Sequence, residues 1–395
     1  MIINNLFIIL IKPIIIFLFI KYLFSYNEKE IDIEKRLLRF NKHNKKIKKN
    51  NDIRNYLNSV KEYVDLIQNN KLETIHYNNY INNPKISFVI PVFNKEQYLN
   101  SLILSIQHQL IEEFEIIFID DCSNDNSVKL INEFTKIDRR IKLIKNLRNR
   151  GTLYSRSQGA LISKGEYIIF IDSDDLVLRD GLYNSYNYLK KINLSILQFN
   201  AIFQKNNSLI LSMRYYKYEK IIKQPILSSL FYYNDITKRA EELNTALWDK
   251  LVNKETVIKA INFIGVKYCN EFIKIENDVI LLFSIFRVAE TYQYINETGY
   301  FYIRTHNDSI TNSWNNPEFS SSVIHGIFVN IKFLYEKTRN SYFDKSLVVF
   351  KLEKSFKRYL MCFANAETEY SFMKKVFELS ILDSTITLLY NIKIG

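Results

Sequence analysis

The chain has 395 residues, 47% of them hydrophobic and 14% aromatic, enough for one large core or two ordinary domains. Eight glycines and five prolines exclude a collagen-like or Pro/Gly-rich low-complexity chain, and three scattered cysteines exclude a disulfide framework or a four-cysteine zinc site. The net charge of +12 is concentrated: Lys35, Arg36, Arg39, Lys42, Lys45, Lys46, Lys48 and Lys49 carry eight of those charges with no acid among them, which leaves a nearly balanced body that is not built to track nucleic-acid phosphates.

Leu6 to Phe24 form an apolar run interrupted by Lys12 and Pro13, close to the ~20 residues that span a bilayer. A mid-span lysine costs about 2.5–3.5 kcal/mol, and the many Ile, Leu and Phe residues can outweigh it at about 0.3–0.6 kcal/mol each. Residues 1–25 are therefore expected to be a single-pass membrane anchor. A cleaved signal peptide is the weaker rival, because no small-residue cleavage site follows the run. The basic block just after the span places the body on the cytosolic side by the positive-inside rule and can also grip anionic lipid, or it serves as a solvated linker. Ile53, Leu57, Val60, Val64 and Ile67 then follow at helical spacing, so residues 26–83 read as a basic neck and helical stem. Asn82, Asn83 and Pro84 punctuate the chain, and the domain boundary is expected there.

Beyond it, strand and helix alternate. Ile86–Ile90, Phe114–Ile119, Ile141–Ile144 and Tyr167–Ile171 read as strands, and they are separated by helical stripes at Leu99, Leu102, Ile103 and Ile106, at Val128, Ile131 and Phe134, and over Leu153 to Ser163. Apolar strands between amphipathic helices imply an α/β fold with a parallel sheet covered on both faces. Ligands bind such sheets beyond the carboxyl ends of the strands, near a topological switch point. Two strands end there in clustered acids: Asp120, Asp121 and Asp125 after the second, Asp172, Asp174 and Asp175 after the fourth. Single acids after strands are commonly helix caps, a reading open to Asp125, Asp175 and Asp180. Crowded carboxylates repel unless a cation or donors compensate. Asp172 and Asp174, flanking Ser173, are spaced to face a hard divalent ion, Mg²⁺ or Mn²⁺, whose shell a diphosphate would complete. No Gly-x-Gly-x-x-Gly follows the first strand and no Gly-Lys-Ser/Thr loop exists, which disfavours dinucleotide and P-loop binding.

The stretches KISFVIPVFNKEQYLNSLILSI, FEIIFIDDCSNDNS and NRGTLYSRSQGALISKGEYIIFIDSDD, in that order between Lys85 and Lys190, resemble the nucleotide-sugar domain of the family-two, inverting glycosyltransferases of GT-A fold. The resemblance implies a Rossmann-like, mostly parallel sheet, with residues 84–200 as the nucleotide-sugar half, 201–318 as the acceptor half and 319–395 as a helical C-terminal region. It implies that Pro91 and Phe93 line the nucleoside pocket, that Asp121 accepts a hydrogen bond from the base, and that Arg156 approaches base or phosphate. Asp172 then stands near ribose and metal, and Asp174 ligates the metal. One departure is Cys122, where relatives carry glycine or a small residue; a position needing positive φ would strain it.

Similarity continues more weakly. In Glu276-Asn277-Asp278, Asp278 matches the second acid of the family's pair, the catalytic base; Asn277 stands in place of the first acid, and Glu276 competes for the role. The plain alternative for these residues is an acidic cap on a buried helix. Arg304 and His306 are candidates to reach the diphosphate, and Trp248 either stacks on an acceptor sugar or belongs to the core. The implied activity is transfer from a nucleotide-diphosphate sugar, a UDP-sugar above all, to a hydroxyl of a glycan, lipid or protein at a membrane, by metal-dependent single displacement with inversion. Nucleic acid is not an expected partner. Two alternatives stand beside it: a catalytically inactive binding module of the same fold, and a membrane-tethered polyanion binder acting through Lys35–Lys49. After Ser320 the pattern is helical without a catalytic motif.

Overall fold

A computed structural model describes residues 50–205, 208–212, 220–223, 246–273 and 277–303, together with helical stretches at 325–326, 329–330, 332–334 and 336–337. The expected anchor at 1–25, the basic block, Glu276, Arg304 and His306 lie outside the described residues, as does most of the C-terminal region. Among the described residues, no helix is long and apolar enough to cross a membrane. The chain divides into two compact units, Met1–Val64 and Asp65–Gly395. Helix α1 (Asn50–Gln68) holds the apolar residues Ile53, Leu57, Val60, Val64 and Ile67 that the sequence spaces helically.

The second unit is built on one sheet in the order β3 (Ile141–Lys145), β2 (Phe114–Asp120), β1 (Ile86–Val92), β4 (Tyr167–Phe170), β9 (Lys250–Asn253), β6 (Ile196–Lys205), β10 (Thr291–Ile303) and β5 (Leu176–Val177). Strands β1 (Ile86–Val92) and β2 (Phe114–Asp120) are buried at every position, as near-continuous apolar runs must be when helices cover both faces. They run parallel to each other, to β3 (Ile141–Lys145) and to β4 (Tyr167–Phe170). Successive β1 side chains enter opposite layers. Phe88 and Ile90 pack with Leu99, Leu102, Ile103 and Ile106 of α2 (Glu96–Gln107) and with Ile131 and Phe134 of α3 (Ser127–Ile137). Val89 packs with Leu153 and Ala160 of α4 (Thr152–Ile162). Each fully buried Ile, Leu or Phe contributes about 1.5–3 kcal/mol, so these two layers carry much of the stability. Gly159 lets α4 close on the sheet, since a Cβ there would lie 2.4 Å from Val89 Cγ1.

The expectation of a mostly parallel sheet needs correction. Strand β9 (Lys250–Asn253) inserts antiparallel between β4 and β6 (Ile196–Lys205), and β6 then pairs parallel with β10 (Thr291–Ile303). Three further antiparallel strands, β5 (Leu176–Val177), β7 (Ser208–Ser212) and β8 (Ile222–Lys223), complete a mixed sheet. The inserted strand comes from a segment without clear alternation, and its partners are remote in sequence, so local pattern does not reveal it.

On the α4 side lie α6 (Lys254–Ile264), the short α7 (Val266–Cys269) and α8 (Asn277–Val288). Val279 to Phe286 of α8 are all buried, because a helix apolar on every side must be enclosed. The polar start of α8, Asn277 and Asp278, is thereby carried to the rim of the core. On the opposite layer, α5 (Arg179–Leu189) packs against the sheet through Leu182, Tyr186 and Leu189.

Candidate active site

The acids ending β2 organise the loop beyond it. Asp121 donates its amide to Val92 O at 2.7 Å, and its buried carboxylate accepts from Asn146 Nδ2 at 2.8 Å and from the amides of Arg150 and Gly151. Asp120 accepts from the Ser123 amide at 3.2 Å. Cys122 between them and the next turn has φ +70°, the left-handed conformation its position foreshadowed, which for a non-glycine residue costs about 1–3 kcal/mol. Asp125 precedes the N-cap of one helix and satisfies a first-turn amide of two, accepting from the Ser127 amide at 2.9 Å and the Glu96 amide at 3.0 Å. Slight burial opposes its ionisation, but these hydrogen bonds hold its carboxyl below the ordinary range.

The acids ending β4 face inward from two sides. Asp172 accepts from Arg156 Nη2 at 2.6 Å, and Asp174 from Lys95 Nζ at 2.8 Å. Asp175 is not the helix cap it resembled. It is buried, accepting from the Tyr300 hydroxyl at 2.7 Å and the Ile303 amide at 2.8 Å, and so locks β10 to the end of β4. Asp180 sits exposed in the first turn of α5. Burial, together with the charges of Asp174 and Asp172, pushes the Asp175 carboxyl well up, and burial beside Asp175 does the same to the Tyr300 phenol.

Arg156 joins the halves. From the middle of α4 its guanidinium donates through Nη1 to Asn277 Oδ1 at 2.7 Å and to Asp278 Oδ1, and through Nη2 to Asp172. Its side chain is only 4% exposed, while Asp172 and Asp278 remain 30% and 27% exposed, so the acids stay reachable in front of a guanidinium walled in behind them. Burial works against the Arg156 charge, but Asp278 and Asp172 over-compensate and hold its pKa above the ordinary value. Asp172 moves the other way, up to about 6: burial and the nearby charges of Asp278 and Asp174 outweigh the attraction of Arg156.

Asp172, Asp174, Arg156 and Asp278 are therefore brought together, and Asp121 is linked to them through Gly151 at the start of α4. Phe93 is exposed where β1 ends, open to a planar ligand, whereas Pro91 is buried in β1 opposite Ile119. Trp248 is a core residue, 7% exposed and stacked on Tyr300 at 4.5 Å. Behind the site lies a buried pair, Lys250 with Asp249, in which Lys250 Nζ also donates to Ala246 O at 2.7 Å. Burial depresses the Lys250 pKa despite its partner. Sequence reasoning missed Lys95 and Tyr300; a lone cation on an acidic rim, four residues past Pro91, was the available signal for the first. Among the described residues, no group of three His, Cys, Asp or Glu side chains could hold a metal unaided.

Comparison with known proteins fits this geometry. Residues 87–242 match the family described as Glycosyl transferase family 2. The chain is 38% identical over 123 residues to an uncharacterized glycosyltransferase of Haemophilus influenzae, covering 31% of this chain and 49% of that protein. It is 29% identical over 224 residues to a cholesterol galactosyltransferase of Borreliella burgdorferi, covering 55% of this chain and 59% of that protein. The chain thus spans about half the length of these curated relatives. A crystal structure of S. aureus TarS 1-349 in complex with UDP-GlcNAc shares the fold, with a TM-score of 0.56 at 14% identity over 77% of this chain and 83% of that one. Residues 87–242 thus form a domain similar to glycosyl transferase family 2, and the sheet around it has the fold seen in TarS.

Proposed function

We propose that the protein transfers a sugar from a nucleotide-diphosphate sugar to an acceptor hydroxyl by single displacement with inversion, with Asp278 as the base. The observation that carries this reading is the Arg156 bridge, which holds Asp278, on the acceptor-side helix, beside Asp172, on the donor-side strand end. A displacement needs these two functions within one substrate's length of each other. The acceptor oxygen forms its bond to the anomeric carbon as its proton passes to the Asp278 carboxylate, and the bond from that carbon to the diphosphate oxygen breaks with its electron pair leaving on the diphosphate. Arg156 fixes one carboxylate oxygen of Asp278, which leaves the base oriented but still, at 27% exposed, a reachable acceptor for that proton.

The donor class we infer is a UDP-sugar, by fold-level analogy with the TarS neighbour crystallised with UDP-GlcNAc. Phe93, at the end of β1, is exposed and suited to stack on a nucleobase, and Asp121 stands at the neighbouring strand end to receive a base N–H. Asp174 and Asp172 fit a divalent ion that takes most of its oxygens from the diphosphate, since two partly exposed carboxylates stand side by side there. Such an ion, Mn²⁺ or Mg²⁺, would neutralise charge on the departing diphosphate. The Ile- and Phe-rich residues 1–25 would anchor this body on the cytosolic face of a membrane, where the acceptor is a glycan, lipid or protein hydroxyl.

The test is a screen of nucleotide sugars for transfer or donor hydrolysis by the full chain with Mn²⁺, alongside Asp278→Asn. The isosteric amide keeps the Arg156 contact but cannot take a proton, so turnover should fall about 10²–10⁴-fold with donor affinity retained. Undiminished turnover would remove Asp278 from the mechanism. Donor binding without turnover in the unaltered chain would select the inactive-module reading, which Asn277 in place of the pair's first acid favours.

A further inference from the structure

Lys95 stands just beyond β1 and ahead of α2, on the rim that the β4 acids share. Its amide donates to Ser127 Oγ at 2.9 Å, which pins the backbone, and its ammonium lies 2.8 Å from Asp174 Oδ2. That contact crosses the crevice between β1 and β4, the neighbouring strands at which the sheet order switches direction. Both side chains are largely enclosed, at 17% and 24% exposed, so salt screens the pair less than a surface pair. The ring of Tyr98, 5.2 Å from the ammonium, adds a weaker attraction.

An ammonium and a divalent ion on one carboxylate repel, so occupation by one disfavours the other. Lysine is a point charge on a flexible four-carbon stem, and it can leave by side-chain rotation alone while its backbone stays pinned. A nucleotide diphosphate supplies the negative charge that would receive both cations at once. Without it, the exchange removes one cation from Asp174 only to install another beside a displaced ammonium.

We propose that Lys95 holds the cation position at Asp174 in the donor-free enzyme and yields it to a divalent ion only when a nucleotide diphosphate is bound. The inference rests on the reading of Asp174 as a metal ligand. It makes ion binding conditional on the nucleotide, with Lys95 as the residue that imposes the condition.

The measurement is Mn²⁺ binding to the full chain, followed by the electron paramagnetic resonance of the free ion, with and without UDP. The unaltered protein should take up Mn²⁺ strongly only with UDP. Lys95→Gln should bind Mn²⁺ alone about tenfold more tightly than the unaltered protein, the size of one neighbouring charge, and should gain less from UDP. Lys95→Arg, which keeps the charge, should behave as the unaltered protein, separating charge from any loss of folding. Asp174→Asn should lose the UDP-dependent uptake. If Lys95→Gln binds Mn²⁺ alone no better than the unaltered protein while Asp174→Asn loses uptake, Lys95 is not the occupant and the metal reading survives. If the unaltered protein takes up no Mn²⁺ even with UDP, the metal reading fails and the inference with it.

Discussion

The amides of Arg150 and Gly151 both donate to the carboxylate of Asp121, at 2.8 and 2.7 Å, so the acid that ends β2 also fixes where α4 begins. Gly151 can follow that path because its φ is +85°, which a side chain would oppose. Arg156 lies on the same helix, so the strand end and the guanidinium bridge are mechanically one device.

Asp121→Asn should therefore act at a distance. The amide group offers one acceptor and turns a donor toward backbone donors, leaving a buried N–H unpaired at a cost of about 1–3 kcal/mol. Urea denaturation should report that loss, and donor affinity should fall with it. A variant as stable as the parent would show that Asp121 does not hold the loop.

The Asp172 pKa has a consequence for stability. It is raised in the folded chain from 3.8 to about 6, so between those values the folded state binds more protons than the unfolded state. Stability should then fall as pH rises from about 4 to about 6, by at most about 3 kcal/mol from this group, and level off above. Asp175 shifts in the same direction, so the comparison must be with Asp172→Asn, whose melting temperature should depend less on pH across that window. Equal pH dependence in the two proteins would contradict the assignment.

Arg156→Lys preserves charge but cannot span Asn277, Asp278 and Asp172 at once, because an ammonium lacks the planar fork. Turnover should fall by more than tenfold while donor affinity changes less, since the acid most affected is Asp278, the proposed base. Arg156→Ala leaves two crowded acids without their shared cation and should cost about 3–5 kcal/mol of stability. A lysine variant with full turnover would show that the bridge is structural only.

Much of this site could be read before any coordinates. Ile86–Val92, Phe114–Asp120 and Tyr167–Phe170 declare themselves because both faces are buried, and the acids that end them fall on one rim because the strands are parallel. Cys122 was suspect because residue type alone decides whether a left-handed φ is comfortable. What stayed hidden depends on remote pairings. The antiparallel insertion of β9, the reach of Lys95 to an acid 79 positions away and the Tyr300–Asp175 lock have no local signature. Trp248 carried two readings until its stacking on Tyr300 placed it in the core.

That lock makes a packing change far from the acids a test of the site. Gly181, in α5, sits so near β10 that an added Cβ would lie 1.8 Å from Thr298 O and 2.6 Å from Gly299 N. Backbone on both sides leaves no flexible side chain to move aside, so Gly181→Ala must push β10 away from α5 and cost about 1–3 kcal/mol or more. Tyr300, one residue beyond Gly299, would move with it and loosen its grip on Asp175, so turnover should fall together with stability. Gly265→Ala is the control: its φ of +81° with ψ of 159° strains an alanine by about 1–3 kcal/mol, but nothing lies within 4 Å of the new methyl. It should lower the melting temperature and leave turnover unchanged. Should Gly181→Ala lose stability yet keep full turnover, the hydroxyl of Tyr300 would not be what positions the β4 acids.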